Sequence, residues 1–381
     1  MSHSDFVRQM PGVASHLANR VSIWQRMHID LPLMLLLMVL TGFGLYVLYS
    51  ASGQDMDTMQ RQGRFFVIAY VSMLVIAQLN LEQIKRLAPL AYIVGVCLLI
   101  AVPFVGVGAK GAQRWLSLGG FRFQPSEIMK LVVPMAVAWY FAKRALPPRF
   151  KYIVISLCLI LVPTVLIAKQ PDLGTSILIA ASGLFVLFLA GISWVYIFGA
   201  AGFAVIAAFP MWQWVLRPYQ KQRILTMLNP ESDKLGSGWN IIQSKTAIGS
   251  GGFDGKGWLN GTQSQLDFLP ESHTDFIIAV LAEELGLKGV LLLLTLYLLI
   301  IGRGLWIGMN AQHCFGRLLA GSLTLTFFVY VLVNLGMVSG MLPVVGVPLP
   351  LVSQGGTSLV TLMASFGLLM AIGTEKRMMN Q

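Results

Sequence analysis

Residues 31–50 read LPLMLLLMVLTGFGLYVLYS, twenty positions without a charge. As a helix rising 1.5 Å per residue this run is about 30 Å long, the thickness of the hydrocarbon core of a bilayer. Windowed hydropathy sets out nine more such runs, at 65–80, 87–106, 126–143, 152–168, 175–191, 194–211, 275–302, 317–339 and 350–373. Composition agrees: 56% of residues are hydrophobic and 11% charged, against roughly a quarter charged in soluble domains. A water-soluble enzyme could not cover its surface with so few charges, and a disordered chain would not hold so much Leu, Val and Ile. The expected fold is an all-α polytopic integral membrane protein of about ten transmembrane helices. Its parts are an N-terminal segment (1–30), helices one to seven (31–211), a large loop (212–274), helices eight to ten (275–373) and a short tail (374–381).

Lysine and arginine orient this array. With the N-terminus inside, the inner segments hold thirteen of them and the short outer loops six; the long loop counts little in this rule. Both termini are therefore expected in the cytoplasm, and the first run reads as a retained anchor rather than a signal peptide. The net charge of +11 accompanies no nucleic-acid motif and no aromatic-basic stripe, so nucleic acid is not an expected partner. Cys97, Cys158 and Cys314 are widely spaced, which fits neither a disulfide framework nor a zinc site.

Polar residues gather on the outer side. The densest group is Gln263–Glu284, QSQLDFLPESHTDFIIAVLAEE. Asp275 falls where loop turns into the eighth run. Thr274 or Asp275 there could cap the helix; equally, Asp275 could act as a general base on a substrate hydroxyl at the water–lipid boundary. Among the histidines only His273 neighbours such candidates. Glu283 and Glu284 lie deeper, with Lys288 four residues after Glu284, a spacing that suits a structural pair. In Arg114–Lys130, RWLSLGGFRFQPSEIMK, Glu127 and Lys130 share a helix face behind Pro125 and Ser126, and Arg114 and Arg122 are candidate phosphate ligands. Asp172, in the turn KQPDLGTS, is a candidate cap or site residue. The stretch GSGGFDGKGWLNG from Gly249 is no P-loop; its backbone could cradle a pyrophosphate or form a surface loop. Proline and glycine in PVVGVPLPLVSQGGTS, from Pro343, break the start of the last run and suggest a cavity open to the outer side. No metal-ligand spacing occurs, so no protein-bound cofactor is implied; a magnesium- or manganese-type ion held mainly by substrate phosphates is compatible with so few carboxylates.

Several of these segments together resemble the SEDS family of bacterial cell-wall proteins (shape, elongation, division, sporulation). They are GAQRWLSLGGFRFQPSEIMK from Gly111, KQPDLGTS from Lys169, NPESDKLGSGWNIIQSKTAIGSGG from Asn229, FLPESHTDFIIAVLAEELG from Phe268 and GMLPVVGVPLPLVSQGGTS from Gly340. The likeness runs from about Trp24 to Lys376, and VVGVPLP favours the elongation branch. It implies a peptidoglycan glycosyltransferase in the bacterial cytoplasmic membrane, polymerising lipid II into β-1,4-linked strands on the periplasmic face. A class B penicillin-binding protein would be its partner. The family's essential aspartate matches Asp275 and its Glu–Lys pair Glu127 and Lys130; Arg114, Arg122 and Arg223 are expected on the phosphate side, with Asp172 and His273 also near substrate. A lipid-linked-sugar flippase and a non-catalytic scaffold for the penicillin-binding protein are the alternatives. The crowding of polar groups at one face, with no inverted repeat, argues against transport.

Overall fold

The computed structural model describes residues 27–109, 112–118, 121–233, 236–262 and 271–375. Among these, twelve α-helices follow in order: α1 Leu31–Ala51, α2 Met56–Ala77, α3 Leu81–Val105, α4 Pro125–Ala142, α5 Phe150–Lys169, α6 Leu173–Leu189, α7 Trp194–Pro210, α8 Pro218–Leu228, α9 Ser237–Gly251, α10 Ile277–Asn310, α11 Cys314–Val338 and α12 Thr357–Gly373. Each predicted apolar run coincides with one of them. Six are long and apolar enough to cross a membrane: α1, α3, α5, α7 with the turn after it, α10 and α11; α6 and α12 are apolar but shorter. The N-terminal segment up to residue 26 and the tail from 376 lie outside the described residues.

Local chemistry sets the helix ends. Asp30 caps α1, accepting from the Leu33 N–H at 3.0 Å. Its carboxylate also takes two bonds from Arg303 at the far end of α10, at 3.0 and 2.7 Å, so one side chain both starts a helix and ties it to another. α2 begins nine residues before its apolar run, because Asp55 caps a polar but helix-forming first turn. α12 begins at Thr357 rather than 350, since Pro348, Pro350 and two glycines keep the preceding segment out of helix.

The all-α expectation needs one correction. Three strands, β1 Val107–Ala109, β2 Ala112–Leu118 and β3 Phe121–Phe123, form an antiparallel sheet in that order. Leu116 pairs with Phe123 and Ser117 with Arg122. The signal was a two-residue alternation, with Leu116 buried and Ser117 exposed, which a hydropathy window averages away. The expected loop 212–274 likewise carries structure of its own: a π-turn at Met211–Val215, α8, a short 3-10 turn and α9.

The core is centred on α4, α6, α11 and the first part of α10, with α12 packed against α2. By contrast α7 buries no residue at all; its apolar surface suits lipid, not a protein interior.

α10 is not one straight rod. Gly286 adopts φ 62°, ψ −160°, a conformation essentially confined to glycine. The break orphans helical carbonyls and N–H groups, and the segment after α9 satisfies them. Lys256 N–H donates to Glu283 O and Gly257 N–H to Glu284 O, both at 2.9 Å, while Leu287 N–H donates to Gly252 O at 3.0 Å. Beyond the break, residues 287–310 would still extend about 36 Å as helix, enough to span.

Candidate active site

Asp275 sits in the turn Glu271–Phe276 immediately before α10, half-buried. Neither Thr274 nor Asp275 holds the cap position; Phe276 does, with no side-chain acceptor, and the Thr274 hydroxyl instead donates to the Glu271 carboxylate at 2.7 Å. Three consecutive carbonyls of this turn are fixed from outside it. His273 O accepts from the Gln354 N–H at 2.9 Å, Thr274 O from the Ser353 hydroxyl, and Asp275 O from the side-chain amide of Asn334 at 2.9 Å. The same Asn334 amide donates to Val347 O at 2.8 Å. A Cβ placed on Gly346 would lie 3.6 Å from Asp275 Oδ2, so the carboxylate faces that glycine in ordinary contact.

Glu127 and Lys130 form the expected pair near the start of α4, with Nζ 2.6 Å from Oε1 and both side chains largely enclosed. Lys130 also lies 5.2 Å from the centre of the Tyr330 ring on α11, and the Thr361 hydroxyl reaches the second Glu127 oxygen at 3.5 Å. The pair lines a cavity of about 50 Å³ together with Pro348–Leu351, Ser353, Gly355 and residues of α11 and α12. That volume holds a few waters and not a saccharide. Asp275 is not in its lining. The connection runs through Ser353, which lines the cavity, accepts from Leu349 N–H at 2.9 Å and donates to Thr274 O. Thus the broken segment before α12 lines the same cavity as the Glu127–Lys130 pair and bonds the turn that carries Asp275.

The other predicted residues fall into different settings. Asp172 caps α6, accepting from Thr175 N–H at 3.2 Å and from the Gln124 amide at 2.9 Å. Arg114 is committed to the same turn: Nε donates to Gln170 O at 3.2 Å, Nη2 to Pro171 O, and Nη1 lies 4.0 Å from Asp172. Two of its five N–H donors are thereby held by carbonyls of that turn. The Arg122 side chain lies outside what the structure describes. Arg223 sits over Tyr219 on α8, which neighbours α9 rather than α4. His273 enters the site through its backbone carbonyl.

The glycine-rich stretch 249–261 is not a phosphate cradle. Its Lys256 and Gly257 N–H groups are consumed by the α10 carbonyls, and Lys256 Nζ, Thr262 N–H and the Thr262 hydroxyl all reach Glu283 Oε1 at 2.7–2.9 Å. Glu284 accepts from Ser50 at 2.5 Å. The expected Glu284–Lys288 pair is absent, because the Gly286 break turns Lys288 away to Asp254. Among the described residues no group of three or more His, Cys, Asp or Glu side chains converges as metal ligands. Sequence reasoning passed over Asn334, Gln124, Tyr330 and Ser353. A lone asparagine inside an apolar run was a usable signal, since polar groups at that depth are costly.

Fold and site together define a multi-pass membrane protein in which one broken helix start holds the turn of an aspartate and lines the cavity of a buried Glu–Lys pair. Over residues 31–378 the chain matches the FtsW/RodA/SpoVE family of cell cycle proteins, and it belongs to that family. It is 55% identical to the peptidoglycan glycosyltransferase MrdB of Escherichia coli strain K12 over 364 residues, covering 95% of this chain and 98% of that one. It is 37% identical to a probable peptidoglycan glycosyltransferase FtsW of Trichlorobacter lovleyi, covering 90% and 92%. Among solved structures, it superimposes on a chain of a peptidoglycan synthase complex with a TM-score of 0.81 at 29% identity, covering 92% and 98%. On the rod shape determining protein RodA of Thermus thermophilus the TM-score is 0.68 at 26% identity, covering 90% and 96%.

Proposed function

We infer that this peptidoglycan glycosyltransferase polymerises lipid II, with Asp275 as the general base. The activity itself follows from 55% identity to an enzyme of that activity over nearly the whole chain. The proposal adds the geometry: ten membrane-spanning helices, both termini in the cytoplasm, and the site on the periplasmic side. The observation that carries the role of Asp275 is the bracing of its turn, with Asp275 O held by Asn334 and Thr274 O by Ser353, the latter also lining the cavity of Glu127 and Lys130. A catalytic carboxylate needs such a rigid seat, because misplacement by an ångström costs orders of magnitude in rate.

In this reading Asp275 accepts the proton of the acceptor's sugar 4-hydroxyl as its oxygen attacks the donor's anomeric carbon. The new C–O bond forms as the bond to the pyrophosphate breaks, and the undecaprenyl pyrophosphate leaves with its electron pair. One displacement inverts the anomeric centre and yields a β-1,4 link. Lys130 is the leading cation for the phosphate side; its ion pair with Glu127 orients it. Arg122, Arg223, Asp172 and His273 rank behind it, and Arg114 acts on the Asp172 turn. Any magnesium or manganese ion would ride on the substrate's phosphates. A class B penicillin-binding protein is the proposed partner; the complex among the structural relatives supports that choice.

The test uses purified protein with its penicillin-binding partner and lipid II. Glycan strands should form with the wild type and not with Asp275→Ala. Strands of normal yield from Asp275→Ala would refute the base.

A further inference from the structure

Asn334 stands in the interior of α11, fully buried in an otherwise apolar stretch, VYVLVNLGMV. Its amide nitrogen makes two hydrogen bonds, both to backbone carbonyls that belong to other parts of the chain: Asp275 O at 2.9 Å and Val347 O at 2.8 Å. Its amide oxygen is buried with no hydrogen-bond partner in the structure. That unsatisfied acceptor is a cost, set against the two backbone carbonyls that the amide nitrogen satisfies. What distinguishes the residue is which two carbonyls its bonds hold.

Those bonds have a particular geometry. One fixes the backbone of the residue that bears the carboxylate. The other fixes Val347, next to Gly346, the residue that Asp275 Oδ2 faces. A single planar amide therefore sets both the base and the wall in front of it, and it does so from α11, an element outside the turn. The neighbouring bonds to His273 O and Thr274 O come from residues 353 and 354, on the same segment as Val347. Remove the amide and the turn keeps the bonds to His273 O and Thr274 O and that of the Ser272 hydroxyl to Ala51 O at 3.1 Å, so the polypeptide remains docked while Asp275 O loses this donor.

We propose that Asn334 is a positioning residue for Asp275, acting on the rate of glycosyl transfer without touching substrate. The assignment rests on Asp275 being the base. Two variants test it in the complex with the penicillin-binding partner, with lipid II as substrate. Asn334→Ala removes both donors; Asn334→Asp keeps the volume but turns a carboxylate toward the two carbonyls. Each should lower kcat about 10- to 100-fold, with KM for lipid II within about twofold of wild type, because binding contacts are untouched. Both should reach the membrane and co-purify with the partner as the wild type does. Wild-type kcat in either variant, beside an inactive Asp275→Ala, overturns the positioning role alone. A raised KM with unchanged kcat overturns it in favour of a binding role. Loss of both variants from the membrane makes Asn334 a folding requirement and also overturns it. An active Asp275→Ala removes the base, and this assignment with it.

Discussion

Breaking the Glu127–Lys130 pair should separate its part in folding from its part in activity. At 2.6 Å and an effective dielectric near 20, the attraction is about 6 kcal/mol. Desolvating each ion costs several kcal/mol, so the pair as a whole contributes close to nothing net. Removing one partner is different. Lys130→Met strands a buried carboxylate whose remaining side-chain hydrogen bond, among the described residues, is a 3.5 Å approach of Thr361, and should destabilise by about 3–5 kcal/mol. Adding Glu127→Gln removes the stranded charge, leaves the shape nearly unchanged, and should restore stability to within about 1 kcal/mol of wild type. Unfolding of the detergent-solubilised protein by a denaturing detergent, followed by tryptophan fluorescence, reads the stability; lipid II polymerisation reads the activity. The double variant should be stable and still inactive, because the cation proposed for the phosphate side is gone. A double variant no more stable than Lys130→Met would refute the electrostatic argument, and one that regains activity would make the pair structural only.

Three other outcomes follow from the same packing. Gly286→Ala should prevent the segment after α9 from docking, since its Cβ would stand 2.4 Å from Gly255 N and φ is 62°; strain alone costs about 1–3 kcal/mol, and proteolysis within 252–262 should accelerate. Lys256→Met removes the ion-pair partner of the fully buried Glu283, which keeps both Thr262 donors; a loss of about 3 kcal/mol should appear in the same unfolding assay, and Glu283→Gln added to it should recover most of that. Asp30→Ala removes the α1 cap and strands Arg303; the loss should exceed the ~1 kcal/mol of a cap alone, and Arg303→Met added to it should bring the loss back toward that figure.

The membrane class, the helices and the Glu127–Lys130 pair were legible in the sequence for one reason: each depends on residues close together along the chain. Hydropathy needs a window of some twenty residues, and an i,i+3 pair needs one helical turn. The same locality misled where distant segments compete. Glu284 and Lys288 have the right spacing for a pair, yet Gly286 breaks the helix between them because residues 252–257 supply the backbone partners. That segment reads equally as a phosphate nest or a surface loop; in the structure its Lys256 and Gly257 N–H groups donate to α10. Asp275 could be named from its sequence, but not its seat. Asn334, Ser353 and Gln354 lie 59 to 81 residues away along the chain, and only the packing of α11 and the broken start of α12 against the turn brings them to its carbonyls. Hydrophobic pattern is a property of the chain; the orientation of the carboxylate proposed as the base belongs to the contacts made by whatever packs beside it.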